Sequence, residues 1–289
     1  MRITSTMRQG DIIRSLNEGQ EKLYEAQRKL STTKEVAASS DNPALYDRAS
    51  RLKTLLSKNE HYQENLEDGL GWARTGSDTM QVMYQTLMDI QFNGVRARGN
   101  VDQNARAIAY ETVKSLIEEL VDLGNVTHLG KYLFGGTVTK NTSPFEYDGS
   151  SVTYNGNDED LSRKVGAGTY ISINTVGSEF EGIYSSSISL RDAILADDGD
   201  AIEAAMGNFE VASNDLINAM ASSGHRQRKM ELTRDNLEMA SVNLQSHITN
   251  AEDADLTEAI MRYNSQELGF RAALESSARI LSLSILDHM

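Results

Sequence analysis

Both ends of this chain carry apolar residues at alternating four- and three-residue spacing, and that pattern restricts the fold more than any other feature. Near the C-terminus Leu256, Ile260, Tyr263, Phe270, Leu274 and Leu281 follow it, with Glu267 and Ser277 in the polar slots. Such a seam belongs to a helix that buries one stripe against partner helices. Asp255 and Glu258 precede it, carboxylates suited to a first helical turn whose free N–H groups need acceptors. The uncharged run Ile280–Leu286, which includes Ile285, comes almost at the last residue. Chain ends are commonly frayed and polar, so an apolar helical end predicts an assembly surface. The alternative is a helix docked on its own domain.

The N-terminal counterpart is Ile13, Leu16, Leu23 and Leu30, with Gln20 and Gln27 at the intervening core-type positions. Polar core positions set register at a cost in stability, and a short amphipathic helix is marginal in water without tertiary contacts. The expected assembly interface is therefore a terminal pair: Ile13, Leu16, Leu23 and Leu30 with Leu256, Ile260, Tyr263, Phe270, Leu274, Leu281 and Ile285.

Between the ends the pattern is mainly helical. Two prolines and 6% aromatics in 289 residues disfavour a β-rich globule. A small polar loop spans Ser31 to Asn42, and Asn42-Pro43 is a good helix start. From Ala44 to about Gly94, Leu45, Leu52 and Leu66 form one heptad set, Ala73, Met80 and Leu87 another, and Met83 and Ile90 a third. With Gly69, Gly71 and Gly76 as weak points, this predicts one long helix or two stacked ones. Asp102 caps a further helix with an apolar face of Ile108, Leu116, Ile117, Leu120 and Leu123.

The texture then turns to β. Phe145–Tyr147, Asp148-Gly149 and Val152–Tyr154 predict a hairpin around a favoured turn dipeptide, and residues 169–175 alternate as a half-buried strand. A small β-rich outer domain is placed at 137–185. Helical periodicity returns near Leu190 and runs through Ile202, Phe209, Leu216 and Met230 to Ile248. The fold class is mainly α: a long antiparallel bundle built from both halves of the chain. Its parts are terminal helices at 1–42 and 250–289, a helical bundle at 43–136 and 186–249, and the β insert.

The net charge of −14 argues against a nucleic-acid partner. The acid is concentrated in the middle, with 13 acidic and 3 basic residues from Glu146 to Glu210. There is no cysteine, hence no disulfide frame and no thiolate metal site. No apolar run is long enough to span a bilayer, and the N-terminus lacks the apolar core of a cleaved signal peptide. His61, His128, His225, His247 and His288 are scattered without metal-ligand spacing. Asp158-Glu159-Asp160 and Asp197-Asp198-Gly199-Asp200 lack the spaced ligands of a calcium loop. No catalytic constellation, metal site or cofactor motif stands out, so the expectation is a protein that is not an enzyme.

Four stretches resemble the flagellin superfamily: Met1-Arg2-Ile3-Thr4; Leu30-Ser31-Thr32-Thr33-Lys34 with Ser40-Asp41-Asn42-Pro43-Ala44; Tyr132-Leu133-Phe134-Gly135-Gly136 with Ser143-Pro144-Phe145 and Tyr154-Asn155-Gly156; and Ala254–Ile260 through Ile280–Asp287. Thr33 stands where the family usually has glycine, and Asn42 where it has a second aspartate. The loop and tail motifs of filament flagellins are missing, so the likeness is to the members at the hook–filament junction. The resemblance implies a structural protein of the flagellum, exported without a cleaved signal peptide through the type III apparatus. It also implies self-association in a ring or short helical layer, contacts with other hook-associated proteins and flagellin, and an export chaperone on the C-terminal helix. The rivals are a filament flagellin and a secreted helical adhesin.

Overall fold

The computed structural model describes residues 5–99 and 102–286. In chain order it contains α1 (Ser5–Thr32), α2 (Pro43–Arg98), α3 (Gln103–Gly124), β1 (Thr127–His128), β2 (Lys131–Tyr132), β3 (Phe145–Tyr147) and β4 (Val152–Tyr154). These are followed by β5 (Ser162–Gly166), β6 (Thr169–Ser172), a 3-10 turn (Gly177–Phe180), α4 (Glu181–Ala196), α5 (Gly199–Glu252) and α6 (Leu256–Leu286). Two compact units result: Met1–Lys58 with Ala240–Met289, and Asn59–Met239. Helices α2 and α5 contribute to both.

Helix α2 is one helix of 56 residues. Leu45, Leu52, Leu66, Ala73, Met80 and Leu87 are all multiples of seven apart and share a single phase, which corrects the reading of separate sets. Nor are the glycines breaks. A Cβ on Gly69 would lie 2.9 Å from Ile173 Cγ2 and 3.2 Å from Met230 Sδ, so that glycine admits close packing.

The larger unit holds the main core. Leu66, Leu70, Met80, Met83, Leu87 and Ile90 of α2 are buried with Val113, Ile117 and Leu120 of α3, Leu190 and Ile194 of α4, and Phe209 and Leu216 of α5. Asp102 caps α3, its side chain accepting from the Ala105 N–H at 2.7 Å. The buried stripe of α3 is Ala109, Val113, Ile117, Leu120 and Val121. Ile108, expected on that stripe, is 67% exposed. The smaller Ala109 and Val113 let α3 seat more closely than Ile108 would.

The β segment comprises three separate two-stranded antiparallel ribbons, β1–β2, β3–β4 and β5–β6. The β3–β4 hairpin pairs Phe145 with Tyr154 and Tyr147 with Val152, around the Asp148-Gly149 turn anticipated from sequence. Asp148 Oδ1 accepts the Ser151 and Ser150 N–H groups at 2.6 and 2.8 Å, which holds its carboxyl below the usual carboxylate range. The ribbon is anchored by aromatic contacts of Phe145 with Tyr184 and Tyr154, at 4.8 and 5.2 Å between ring centroids. The buried Tyr184 hydroxyl donates to the Leu120 carbonyl at 3.1 Å. Arg191, buried on α4, donates to the Tyr147 hydroxyl and the Gly149 carbonyl, at 2.5 and 2.7 Å.

The acidic turns have structural partners. Asp197 ends α4 in the left-handed conformation and pairs with Arg106 at 2.6 Å. Asp198 caps α5 by accepting from the Asp200 and Ala201 N–H groups. Asp158, Glu159 and Asp160 each accept from a hydroxyl, of Ser178, Thr137 and Ser172 respectively.

Candidate assembly interface

In the smaller unit α1 and α6 run as a pair, and their facing residues differ from those the large apolar side chains suggested. The half-buried positions of α1 that keep a regular spacing are Ile12, Leu16, Gly19, Leu23, Ala26 and Leu30, beside the half-buried Arg28 and Lys29 of its last turn. Those of α6 are Ala259, Tyr263, Gln266, Phe270, Ala273 and Ser277, with Ala259 fully buried and Glu267 at the margin. Both sets keep the four-and-three spacing of a coiled-coil seam. Leu16, Leu23, Leu30, Tyr263 and Phe270 therefore lie on the seam. Ile13, at 60% exposure, does not. Gln20 and Gln27 are exposed, and Gly19 and Ala26 occupy the intervening core positions assigned to them.

The reason is steric. Phe270 lies over Gly19, with its Cδ2 atom 3.2 Å from where a Cβ would stand. Alternating small residues on both helices allow their backbones to approach and give the aromatic rings room. A seam chosen for large apolar residues alone would have held the helices further apart.

The consequence is a second apolar stripe on α6 that the pair does not cover. Leu256, Ile260 and Leu274 are 49%, 47% and 44% exposed. Tyr24 on α1 is 69% exposed. Leu281 and Ile285 lie on α6, but their side chains fall outside the described residues. Met1-Arg2-Ile3-Thr4 and Asp287 lie outside them as well.

A compact polar junction ties the loop after α1 to the end of α5. Lys34 and Asp253 form an antiparallel bridge. The Glu35 and Val36 N–H groups both donate to the Glu252 carbonyl, at 2.7 and 3.2 Å, and Ala254 N–H donates to the Thr33 carbonyl at 3.0 Å. The Glu252 carboxylate, 4% exposed, accepts from the Lys34 ammonium at 2.8 Å and from the Lys53 ammonium. Burial pushes its pKa up, but the hydrogen bonds and charges of the two lysines outweigh burial and hold it below its ordinary value. Sequence reasoning missed Glu252, because a lone glutamate near a helix end carries no signal until the chain returns beside it.

Caps complete the junction. Asp41 accepts from the Ala38 and Ala37 N–H groups at 2.9 and 3.0 Å and pairs with Arg28 at 2.5 Å. The Ala38 amide contributes most to holding its carboxyl low. Asn42 caps α2 through the Ala44 and Leu45 N–H groups, both at 3.2 Å. Asp255 caps α6, accepting from Thr257 N–H at 2.8 Å, whereas Glu258 pairs with Arg262 one turn on. Thr33 has φ +57°. Glycine adopts that left-handed conformation without the steric cost that a β-branched threonine bears.

The profile of the bacterial flagellin N-terminal helical region matches residues 3–139, and that of the C-terminal helical region matches residues 206–288. Together they span more than half of the chain. Comparison with curated proteins gave no match. Among solved structures the fold is similar to that of flagellar hook-associated protein-3 from Legionella pneumophila, with a TM-score of 0.64 and 10% identity over 70% of this chain and 98% of that one. It is also similar to FlgL from Xanthomonas campestris (TM-score 0.62, 14% identity, 68% and 99% coverage) and to FlgL from Bacillus cereus (0.61, 20%, 69% and 99%). At these identities the structural likeness is one of fold, and the two sequence profiles carry the assignment. The chain belongs to the bacterial flagellin family.

Proposed function

We propose that this protein is a structural component of the bacterial flagellum that joins hook to filament, polymerising through its terminal helices. The observation that carries the reading is that almost the whole length of each hook-associated or FlgL structure, 98% or more, overlays on this fold. The α1–α6 pair makes the axial contacts. Its uncovered stripe of Leu256, Ile260 and Leu274 meets neighbouring subunits, and Leu281 and Ile285, by their spacing in the sequence alone, are assigned to the same contact. Ile13, off the internal seam, serves the same purpose. Leu16, Leu23, Leu30, Tyr263 and Phe270 act indirectly, by holding the pair together.

In this reading the helical bundle forms a middle layer and the acidic β segment faces outward. The partners are other hook-associated proteins below and flagellin above, with self-association in a ring or short helical layer. An export chaperone covers the C-terminal helix before assembly, and the protein leaves through the type III apparatus without a cleaved signal peptide. The mechanism is mechanical, without catalytic chemistry: a thin layer of subunits accommodates the mismatch between a curved hook and the filament.

Deleting the gene tests this. Hooks without filaments, with flagellin released into the medium, are expected. Normal filaments in the deletion strain would refute the junction role and favour an adhesin. Filament loss restored by a purified junction protein from elsewhere, but not by this protein, would refute it too and point to a filament flagellin.

A further inference from the structure

We propose that the β1–β2 turn of one copy inserts Leu129 into a small notch between α2 and α3 of the next copy. The inference deepens the reading above and rests on its self-association.

Leu129 is anomalous twice over. Its side chain is 82% exposed, and its backbone lies in the left-handed region at φ +51°, beside Gly130 at +73°. A two-residue hairpin turn with positive φ at both positions favours Asn-Gly or Gly-Gly. A branched leucine there carries backbone strain and also leaves its apolar surface in water. The tip is stiffly mounted. The His128 ring packs edge-on against Trp72 with centroids 5.9 Å apart, and its Nδ1 lies 3.0 Å from Thr75 Oγ1. On the other side, Leu133 N–H donates to the Val126 carbonyl at 3.1 Å and Tyr132 N–H to the Thr139 carbonyl at 3.0 Å.

The same unit contains a matching recess. Asn93, Arg96, Ala97, Ala105, Ile108 and Ala109 line a notch of about 60 Å³, room for the end of one aliphatic side chain. Beside it, among the described residues, Phe92, Val95 and Ile108 are 60%, 52% and 67% exposed, with the Arg96 guanidinium 5.7 Å from the centre of the Phe92 ring. This accounts for Ile108 standing off the buried stripe of its helix.

Charge favours the pairing. From Leu123 to Phe145 the chain has no acidic residue and two lysines, Lys131 and Lys140, although its net charge is −14. The end of the unit bearing the notch has the opposite balance. Asp102, Asp197, Asp198, Asp200 and Glu203 stand there against Arg96, Arg98 and Arg106, tied together by the Arg98–Glu203 and Arg106–Asp197 pairs. Trp72 and Ala97 are about 37 Å apart along α2 at 1.5 Å per residue, so the tip cannot reach its own notch. The contact is head-to-tail between different patches, the type that propagates into rings or helical layers.

The absence of cysteine makes the test direct. Purified Leu129→Cys and Ala105→Cys proteins are mixed, brought to assembly as followed by sedimentation, and oxidised. A 129–105 disulfide identified by mass spectrometry, at least tenfold above either variant alone and above a Leu129→Cys with Leu232→Cys control, is expected. Assembly with no such excess overturns this contact and leaves the junction reading standing. Failure of the unmodified protein to self-associate also overturns this contact, while the gene deletion above still decides the junction reading. Leu129→Glu, with unchanged circular dichroism, is expected to raise the concentration needed for assembly about tenfold, and an unchanged threshold counts against the proposal.

Discussion

Replacing Glu252 with glutamine removes a charge and leaves the backbone of the polar junction intact. The carboxylate is 4% exposed and holds two ammonium groups that are themselves 38% and 47% exposed. A charge-assisted hydrogen bond contributes about 1.5–3 kcal/mol when well buried. Screening at the exposed lysine ends lowers each to about 0.5–1 kcal/mol. The desolvation that the carboxylate no longer suffers offsets part of the rest. The expected net cost is about 0.5–1.5 kcal/mol, which corresponds to roughly 2–13-fold in a local opening equilibrium.

Hydrogen exchange reads this locally, which matters because a chain with two compact units need not unfold in one step. Protection at the Glu35, Val36 and Ala254 amides is expected to fall by that factor in Glu252→Gln, with Val113 to Leu120 unchanged. The pH dependence has a definite sign. The native carboxyl titrates below its ordinary value of 4.5, so its stabilisation is present above that value and disappears as pH falls through the native one. The unmodified protein therefore loses protection in this segment in acid, after correction for intrinsic exchange, and Glu252→Gln loses less. A change below twofold at neutral pH, or an equal change in α3, would refute the reasoning.

Three further outcomes follow from the packing. Phe270→Ala uncovers Gly19 and is expected to destabilise the α1–α6 pair by about 2 kcal/mol, below the full-burial cost because the ring is only half buried; exchange across residues 12–30 checks it. Thr33→Gly relieves the left-handed strain and, after the extra chain entropy of glycine, stabilises the junction by up to about 1 kcal/mol; lowered protection at Glu35 and Val36 would contradict this. Tyr184→Phe removes the hydroxyl bonded to the Leu120 carbonyl and costs the larger unit about 1 kcal/mol, readable as lowered exchange protection from Val113 to Leu120 with Glu35 and Val36 unchanged.

The helical plan was legible in the sequence because period and caps are local properties. Asn42, Asp102 and Asp255 cap the helices they precede, and Asp148-Gly149 turns the hairpin it announces. Phase was harder. Large side chains pointed to Ile13, Leu256 and Leu274, whereas the helix pair closes on Gly19, Ala26, Ala259 and Ala273, because close approach is decided by what is small. Ile108 misled in the same way. The Glu252 junction was invisible because its partners are 218 and 199 residues away in the chain, a separation only the returning fold removes.

The central claim is that the protein sits at one place in the flagellum. Gold-labelled antibody against it, viewed by electron microscopy on intact flagella, tests this most directly. A single cluster of gold where hook meets filament is the expected result. Gold along the whole filament, or over the cell surface away from any flagellum, would contradict it.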